Sequence, residues 1–227
     1  MIRKSLFCIV FLILPFFVWA DNPLRLSVVG SITAPFYTGA GFDAALDGIR
    51  ETEAVDEVIP NPIIGFTLGS GLEYSFNNFF ALQGEILLAG AGGGYVLVDN
   101  GVREAHLISE INLDIPLMLK LNKELEKGRS VYVMAGPQVS LLLYESEFVQ
   151  DGHAYDKHKN SRDHFNPAGI GILTALGWRA PLDNVETFLE LRYGREFSRS
   201  LKNSGANYQN VIGMAAGLQF RRKGEQS

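Results

Sequence analysis

Hydrophobic and polar residues alternate with a period of two along most of the chain from about residue 24 onward. The clearest segment is Ile64 to Phe76, where apolar side chains such as Leu68 alternate with Gly, Thr, Ser and Glu73. Successive side chains of a strand point to opposite faces, so this period predicts a β-strand with one apolar and one polar face. Asn77-Asn78 then provides a turn into a second strand with the same period.

The same period recurs often enough to predict eight strands. They lie in the segments Leu24 to Tyr37, Ile64 to Phe76, Phe80 to Leu88, Ile111 to Leu121, Val131 to Leu143, Ile170 to Trp178, Leu189 to Tyr193 and Tyr208 to Phe220. Short connections, at residues 77–78, 122–130 and 181–184, alternate with longer polar ones at residues 39–62, around Asn100, 146–166 and 198–207. In an up-and-down arrangement, all the long connections would therefore emerge at one end.

The apolar face continues along the full length of the strands, whereas the opposite face carries Gly, small polar residues and charges. A soluble barrel or sandwich would turn the apolar face inward, and a membrane barrel would turn it toward lipid. Short periplasmic turns, long external loops and an even strand number are typical of outer-membrane barrels. We expect an all-β fold, an eight-stranded antiparallel up-and-down transmembrane β-barrel over residues 21–220, with a soluble exported ligand-binding barrel as an alternative.

The polar face supplies the candidate site. The two-residue phase directs six charged side chains into the lumen: Glu73, Glu85, Asp114, Lys120, Glu190 and Arg192. Side chains about fill the interior of an eight-stranded barrel, so we expect these residues to form a polar network of ion pairs. A narrow or gated conduction path stays open as an alternative.

Aromatic residues cluster near both ends of the predicted strands. Those near the short turns are Tyr74, Phe76, Phe79, Phe80 and Trp178, and those near the long loops are Phe36, Tyr37, Tyr193, Phe197 and Tyr208. Two such clusters are typical of the interfacial girdles of a membrane barrel, although aromatic residues are enriched in any sheet.

The third and fourth strands are predicted to continue beyond the membrane, because the extended segment is longer than a bilayer requires. Phe79 to Asp99 has 21 residues, whereas a transmembrane strand needs about 9–11. Asn100-Gly101 is a preferred pair for a type I′ turn, which predicts an extended hairpin that projects from the membrane. Gly90 to Gly94 would let this ribbon bend where it leaves the barrel. The ribbon also offers polar side chains for contact with a partner: Arg103, Glu104 and His106.

The first twenty residues have the layout of an export signal. Arg3 and Lys4 precede the apolar run Leu6 to Val18, and a small residue, Ala20, follows at the expected cleavage site. The run has 13 residues, fewer than the roughly 20 that a spanning helix needs. We therefore expect residues 1–20 to be a cleaved signal peptide, with a retained anchor as the alternative. Cys8 would leave with it, and the exported chain would contain no cysteine.

The net charge of the chain limits the classes of partner that it is expected to bind. The chain carries 20 Lys and Arg against 25 Asp and Glu, a formal net charge of −5. Loss of Arg3 and Lys4 leaves 18 basic and 25 acidic residues in the mature chain, a net charge of −7. Nucleic-acid binding is not expected, because it requires a basic surface.

One long loop contains residues with catalytic or metal-binding side chains: His153, His158, Ser161, Asp163 and His164. The spacing of the histidines matches no metal motif, and no nucleophile turn surrounds the serine. We expect no catalytic residue, metal or cofactor and no enzyme activity. A lipid-modifying barrel enzyme, with Ser, His and acid near the membrane rim, is the rival hypothesis. The acidic segment Asp43 to Glu57 could form a short helix or a mobile flap.

Four segments resemble a known family in order and spacing: Leu113 to Lys120, Tyr132 to Pro137, Glu190 to Gly194 and Gly217 to Phe220. They are similar to the porin-family small outer-membrane β-barrels, of the outer-membrane protein A and W type. Family members usually end on the aromatic residue of the last strand. Here residues 221–227 follow as a short polar tail, expected in the periplasm.

The resemblance implies a place in the outer membrane of a diderm bacterium, in contact with outer-membrane lipid and assembled there by the barrel-assembly machinery. It also implies a non-enzymatic role, as a structural element, a narrow pore for small solutes or a surface-contact protein whose external loops meet a ligand.

Overall fold

Ten strands and one α-helix make up the fold of the computed structural model, which describes residues 24–53, 56–62, 64–151, 154–158, 167–183, 185–197 and 208–220. In chain order they are β1 (Leu24–Thr38), α1 (Ala40–Glu53), β2 (Glu57–Pro62), β3 (Gly65–Ser75), β4 (Phe80–Asp99), β5 (Val102–Glu124), β6 (Ser130–Asp151), β7 (Ala154–His158), β8 (Ala168–Leu182), β9 (Val185–Glu196) and β10 (Tyr208–Phe220). The predicted signal peptide, residues 1–20, and the polar tail, residues 221–227, lie outside the described residues.

Eight of these strands form a closed antiparallel ring in the order β1, β3, β4, β5, β6, β8, β9, β10. The last strand pairs back with the first, so that Phe220 lies opposite Leu26 and Tyr208 opposite Thr38. The prediction of an eight-stranded up-and-down barrel is confirmed. No helix in the described part of the chain is both long and apolar enough to cross a membrane.

The three short turns lie at one end of the ring. In the first, the Asn77 side-chain oxygen accepts hydrogen bonds from the backbone N–H of Phe79 at 2.8 Å and of Phe80 at 2.7 Å. The second contains a 3-10 turn at Glu126–Gly128, in which Lys127 has a φ of 62° and Gly128 a φ of 70°. The long connections therefore all leave the opposite end.

The outer surface of the ring is apolar and its interior is largely polar. Leu68 is 60% exposed and Leu117 50% exposed on the outside, whereas Glu73, on the inner face of β3, is 1% exposed. This arrangement is the reverse of a soluble barrel, in which the apolar faces would meet inside.

Most of the predicted girdle residues lie on the outer surface, but the assignment of Tyr37 to the girdle is wrong. Its phenol donates a 2.8 Å hydrogen bond to Glu110 inside the barrel. Its ring covers Gly93, where a Cβ would lie 2.5 Å from the ring. Tyr37 follows Phe36 directly, so the two side chains of this dipeptide must point to opposite faces of the strand.

The hairpin of β4 and β5 continues past the ring as predicted. Asp99 pairs with Val102, and Asn100 and Gly101 have φ values of 50° and 80°, as a type I′ turn requires. Beyond Gly90, β4 no longer pairs with β3 and pairs with β2 instead. In this pairing Pro62 lies opposite Gly93 and Glu57 lies opposite Val98.

On its other side the hairpin is flanked by the end of β6, where Asp151 pairs with Glu104, and β7 pairs with that end of β6. We call residues 91–99, 102–110 and 144–151 together with β2 and β7 the projecting sheet. The prediction of a loop at residues 146–166 is wrong for residues 146–151 and 154–158. Their sequence lacks apolar alternation because a sheet above the bilayer buries neither face in lipid.

The acidic segment after β1 is helical over Ala40–Glu53, which decides between the helix and the flap left open by the sequence. This helix contacts β1 and β2 at the external end. It therefore lies beside the projecting sheet rather than within the barrel wall.

Replacement of Leu68 by arginine tests the direction of the strand faces. We expect Leu68→Arg to lower the free energy of unfolding in lipid vesicles by about 2–4 kcal/mol, the cost of arginine facing lipid near the bilayer midplane. Val102→Arg, at a 66% exposed position beside the hairpin turn, is the matched control and should leave stability unchanged. Equal stability of the two variants would contradict the assignment.

Amide hydrogen exchange tests the projecting sheet. Val96 pairs with both Ile59 and Ala105, so its neighbourhood should exchange slowly, as the transmembrane part of β4 does. Fast exchange across Tyr95 to Leu107, together with an absence of cross-strand nuclear magnetic resonance contacts, would show a mobile loop instead.

Candidate functional site

The lower half of the barrel, next to the short turns, contains a cluster of ion pairs around Glu73. Lys120 Nζ donates a 2.7 Å hydrogen bond to Glu73 Oε2, and Arg179 Nη1 donates to Glu73 Oε1 at 3.3 Å. Glu186 forms ion pairs with two arginines: its Oε2 lies 3.4 Å from Arg25 Nη1 and 3.6 Å from Arg179 Nη1. Both carboxylates are buried, so each is neutralised by cations rather than by water.

A second cluster is centred on Arg192. Its two terminal nitrogens donate to both oxygens of Glu85, at 2.8 and 2.9 Å, which is the paired geometry that a guanidinium and a carboxylate favour. Its Nε donates to Glu190 at 2.6 Å. One cation thus holds two buried carboxylates together.

Two uncharged side chains join the clusters. Gln83 donates to Glu85 at 2.6 Å and accepts from Lys120 at 3.3 Å. The Tyr132 phenol donates to Glu190 at 2.6 Å, and Lys120 Nζ lies 3.7 Å from the centre of the same ring. The result is one continuous network.

We call the charged members of this network the plug. Its four cations and four carboxylates balance: Arg25, Lys120, Arg179 and Arg192 against Glu73, Glu85, Glu186 and Glu190. A balanced set can be removed from water only while every member keeps its partners, because an uncompensated charge in this interior is costly.

Apolar side chains fill the space beside the plug. Two buried clusters comprise Met118, Tyr132, Met134, Leu173 and Ala175, and Val29, Leu87, Phe188 and Ala215. Glycine makes room for their rings. A Cβ at Gly177 would lie 2.2 Å from Tyr132 Cζ, and a Cβ at Gly217 would lie 2.4 Å from Phe188. The Tyr132 ring that orients Glu190 therefore depends on Gly177, which lies between the two residues on β8 as the cross-strand partner of each.

Asp114 lies apart from the plug. It lines a cavity of about 70 Å³ in the upper half of the barrel, together with polar side chains from four strands: Asn112, Gln138, Arg192, Glu196 and Gln209. Arg192 therefore faces the cavity as well as the plug. Nearer the external end of the barrel, the buried Glu110 carboxylate accepts a 2.8 Å hydrogen bond from the Tyr37 phenol. The Gln209 side-chain amide donates a 3.2 Å hydrogen bond to the same phenol oxygen.

The structure thus brings five of the six predicted lumen residues into one network and places Asp114 in the cavity above it. It adds Arg25, Arg179 and Glu186, which the sequence analysis did not select. The strand phase already contained all three: Arg179 lies two residues after inward-facing Gly177, Glu186 lies four before Glu190, and Arg25 lies two before inward-facing Ser27.

The histidine-rich loop gives no comparable site. His153, Ser161, Asp163 and His164 lie outside the described residues, and His158 ends β7 with its side chain undescribed. Within the described ranges, no group of three or more His, Cys, Asp or Glu side chains is arranged to hold a metal ion.

A family model for the outer membrane protein beta-barrel domain matches residues 20–202, which is more than half of the chain. The chain belongs to this family. It is therefore an outer-membrane β-barrel protein, as the resemblance of its strands indicated. A search of curated proteins finds no significant match.

Several solved outer-membrane proteins resemble the chain at low identity. Neisserial surface protein A (NspA) is 13% identical, with 88% of this chain and 97% of that chain covered and a TM-score of 0.41. OprG from Pseudomonas aeruginosa is 11% identical, with coverage of 88% and 96% and a TM-score of 0.43. Ail, the attachment invasion locus protein of Yersinia pestis, solved with the heparin analogue sucrose octasulfate, is 11% identical, with coverage of 88% and 100% and a TM-score of 0.38.

Removal of one plug cation tests the network. We expect Arg192→Met to lower the free energy of unfolding by roughly 3–5 kcal/mol, because it leaves Glu85 and Glu190 buried without their cation. Adding Glu85→Gln to this variant should restore part of the loss, since the charge left behind is then smaller. Arg103→Met, on the exposed hairpin, is the control and should change stability by no more than about 0.5 kcal/mol. Strictly additive effects of the two plug substitutions would show that the pair is not coupled.

Proposed function

We propose that this outer-membrane barrel is closed to solutes and non-enzymatic, and that it serves as a rigid membrane anchor for the projecting sheet. The observation that carries the proposal is the plug, in which seven buried charges and the partly buried Arg25, from six of the ring strands, join across the lumen. An eight-stranded barrel has room for side chains but little else.

The positions of the plug residues explain how they close the lumen. Arg192 on β9 meets Glu85 on β4, and the ring order places these strands opposite each other. Arg179 on β8 likewise meets Glu73 on β3, also on the opposite side. Side chains that span the full diameter at two levels would obstruct the passage of hydrated ions through the described part of the barrel.

The projecting sheet supplies the surface for contact. It is ordered by pairing on both sides of the central hairpin, and its turn carries exposed polar side chains. One edge, β2, contains Pro60 and Pro62, and proline at an edge strand blocks uncontrolled pairing with other chains. We propose that a surface ligand binds to the faces or turn of this sheet rather than to the β2 edge.

The rival enzyme hypothesis requires Ser, His and an acid near the membrane rim. His106, the histidine whose side chain the structure describes, instead lies on the projecting sheet, where its ring stacks on Tyr95 at 4.7 Å and its Nε2 lies 3.1 Å from a carboxylate oxygen of Glu104. This placement favours a contact surface over a hydrolytic centre.

The remaining parts of the proposal concern biogenesis. Residues 1–20 would direct export and be removed, and the barrel-assembly machinery would insert the chain, with β10 closing the ring and residues 221–227 left in the periplasm. The apolar outer surface would then contact outer-membrane lipid.

A gated pore is the second candidate, because the cavity next to Arg192 would become part of a path if the plug opened. Planar-bilayer conductance of the refolded protein separates the two. We expect no ion steps from the wild-type protein and measurable conductance from a Glu85→Ala/Arg192→Ala double variant. Arg103→Ala/Glu104→Ala, which removes two charges outside the barrel, should stay silent. Regular steps from the wild type would favour the pore, and hydrolysis of outer-leaflet lipid in a parallel assay would favour the enzyme.

A further inference from the structure

A cation lies on the outer surface of the barrel at its external end. Arg195 is the eleventh residue of β9 counted from Val185, so it lies where a strand of about 9–11 residues leaves the bilayer. Its cross-strand neighbours, Ile172 and Asn210, belong to the outward phase of β8 and β10. Among the described residues at this end of the ring, below the projecting sheet, it is the one Lys or Arg on the outward phase.

Aromatic rings hold this guanidinium at the membrane interface. The Arg195 guanidinium carbon lies 4.4 Å from the centre of the Tyr208 ring, which packs edge-on against Phe197 at 6.4 Å. The Tyr193 phenol donates a 2.9 Å hydrogen bond to Asn210 beside it. Aromatic rings with polar ends are typical of the headgroup level of a bilayer. The ring fixes one face of the cation and leaves its charge available to an anion in the headgroup layer.

Directly toward the bilayer centre from Arg195, the outer surface has a groove of about 540 Å³. Its floor is formed by Ala135 and Thr174, which are cross-strand partners on β6 and β8. Larger outward side chains form its walls: Leu119, Leu121, Val133, Leu176, Leu191, Tyr193 and Ile212. Tyr193 is two residues from Arg195 on the same face of β9, so the groove and the cation adjoin.

We propose that the groove and Arg195 together bind one phosphorylated glycolipid of the outer leaflet. An acyl chain would lie between the groove walls, and the glycolipid phosphate would pair with the Arg195 guanidinium. The chemistry of the surface changes in the order that such a lipid requires, from apolar in the membrane to aromatic and then cationic at the headgroup level. Guanidinium suits phosphate because it offers several N–H donors in one plane. This inference rests on the outer-membrane location and does not depend on whether the barrel conducts.

Native mass spectrometry with bisphosphorylated lipid A as the probe tests the site. We expect the wild-type barrel to retain lipid A in preference to the same lipid after dephosphorylation. Arg195→Gln should weaken that retention roughly tenfold, the effect expected when a hydrogen bond to a charged group is lost. Arg195→Lys should retain an intermediate amount, because it keeps the charge without the planar donors.

Two further variants distinguish the contribution of the groove to lipid binding from that of the Arg195 cation. Ala135→Phe fills the groove floor and should weaken binding of both lipid forms, whereas Arg195→Gln should affect only the phosphorylated form. Lys123→Gln, which removes an exposed cation at the short-turn end of β5, is the matched control and should bind as the wild type does. All these side chains point outward, and the gel migration of unboiled protein verifies that each variant folds.

Equal retention of lipid A by the wild type and Arg195→Gln would overturn the proposal. So would equal retention of the phosphorylated and dephosphorylated forms, or preferential retention of phosphatidylglycerol over lipid A. A dimer in the native spectra that Ala135→Phe dissociates would assign the groove to a second copy of the chain instead.

Discussion

The pairing of Arg192 with Glu85 across the lumen is the interaction on which the architecture depends. The two side chains come from strands on opposite sides of the ring, and they meet at 2.8 and 2.9 Å. Their combined reach therefore limits the diameter of the barrel, because two additional strands would separate the carboxylate from the guanidinium. Once the strands are held at this distance, Glu190, Tyr132 and Lys120 complete a network that a wider ring could not form.

Burial of the charges and exposure of the apolar residues are linked by the pleat of the strands. Each β-strand must alternate its faces, so a lumen that holds Glu73 or Arg192 on one face directs the intervening leucines outward. These leucines would be unfavourable in water and are favourable in lipid. The charged interior and the membrane location are thus two results of the same alternation.

The eight ring strands, their short turns and the direction of their faces were predictable because each depends on local sequence. The turn at Asn100-Gly101 needs two positive φ values, and the phase that directs Leu68 outward also directs Glu73 inward. The pairing of Glu73 with Arg179, by contrast, joins residues 106 positions apart. It depends on which strands face each other across the ring, and no local pattern encodes that relation.

The same distinction explains why β2 and β7 escaped prediction. Within the membrane, a strand is recognisable because lipid selects an apolar face, but a strand above the bilayer has water on both sides and is stabilised by its neighbour. Pro60 and Pro62 even argue against a strand when β2 is read alone. They are tolerated because β2 is an edge strand that pairs only with β4 among the described strands, and edge strands are where sheets accommodate proline. The ordered surface outside the membrane therefore follows from the length of the central hairpin, whose strands provide the template on which less regular segments pair.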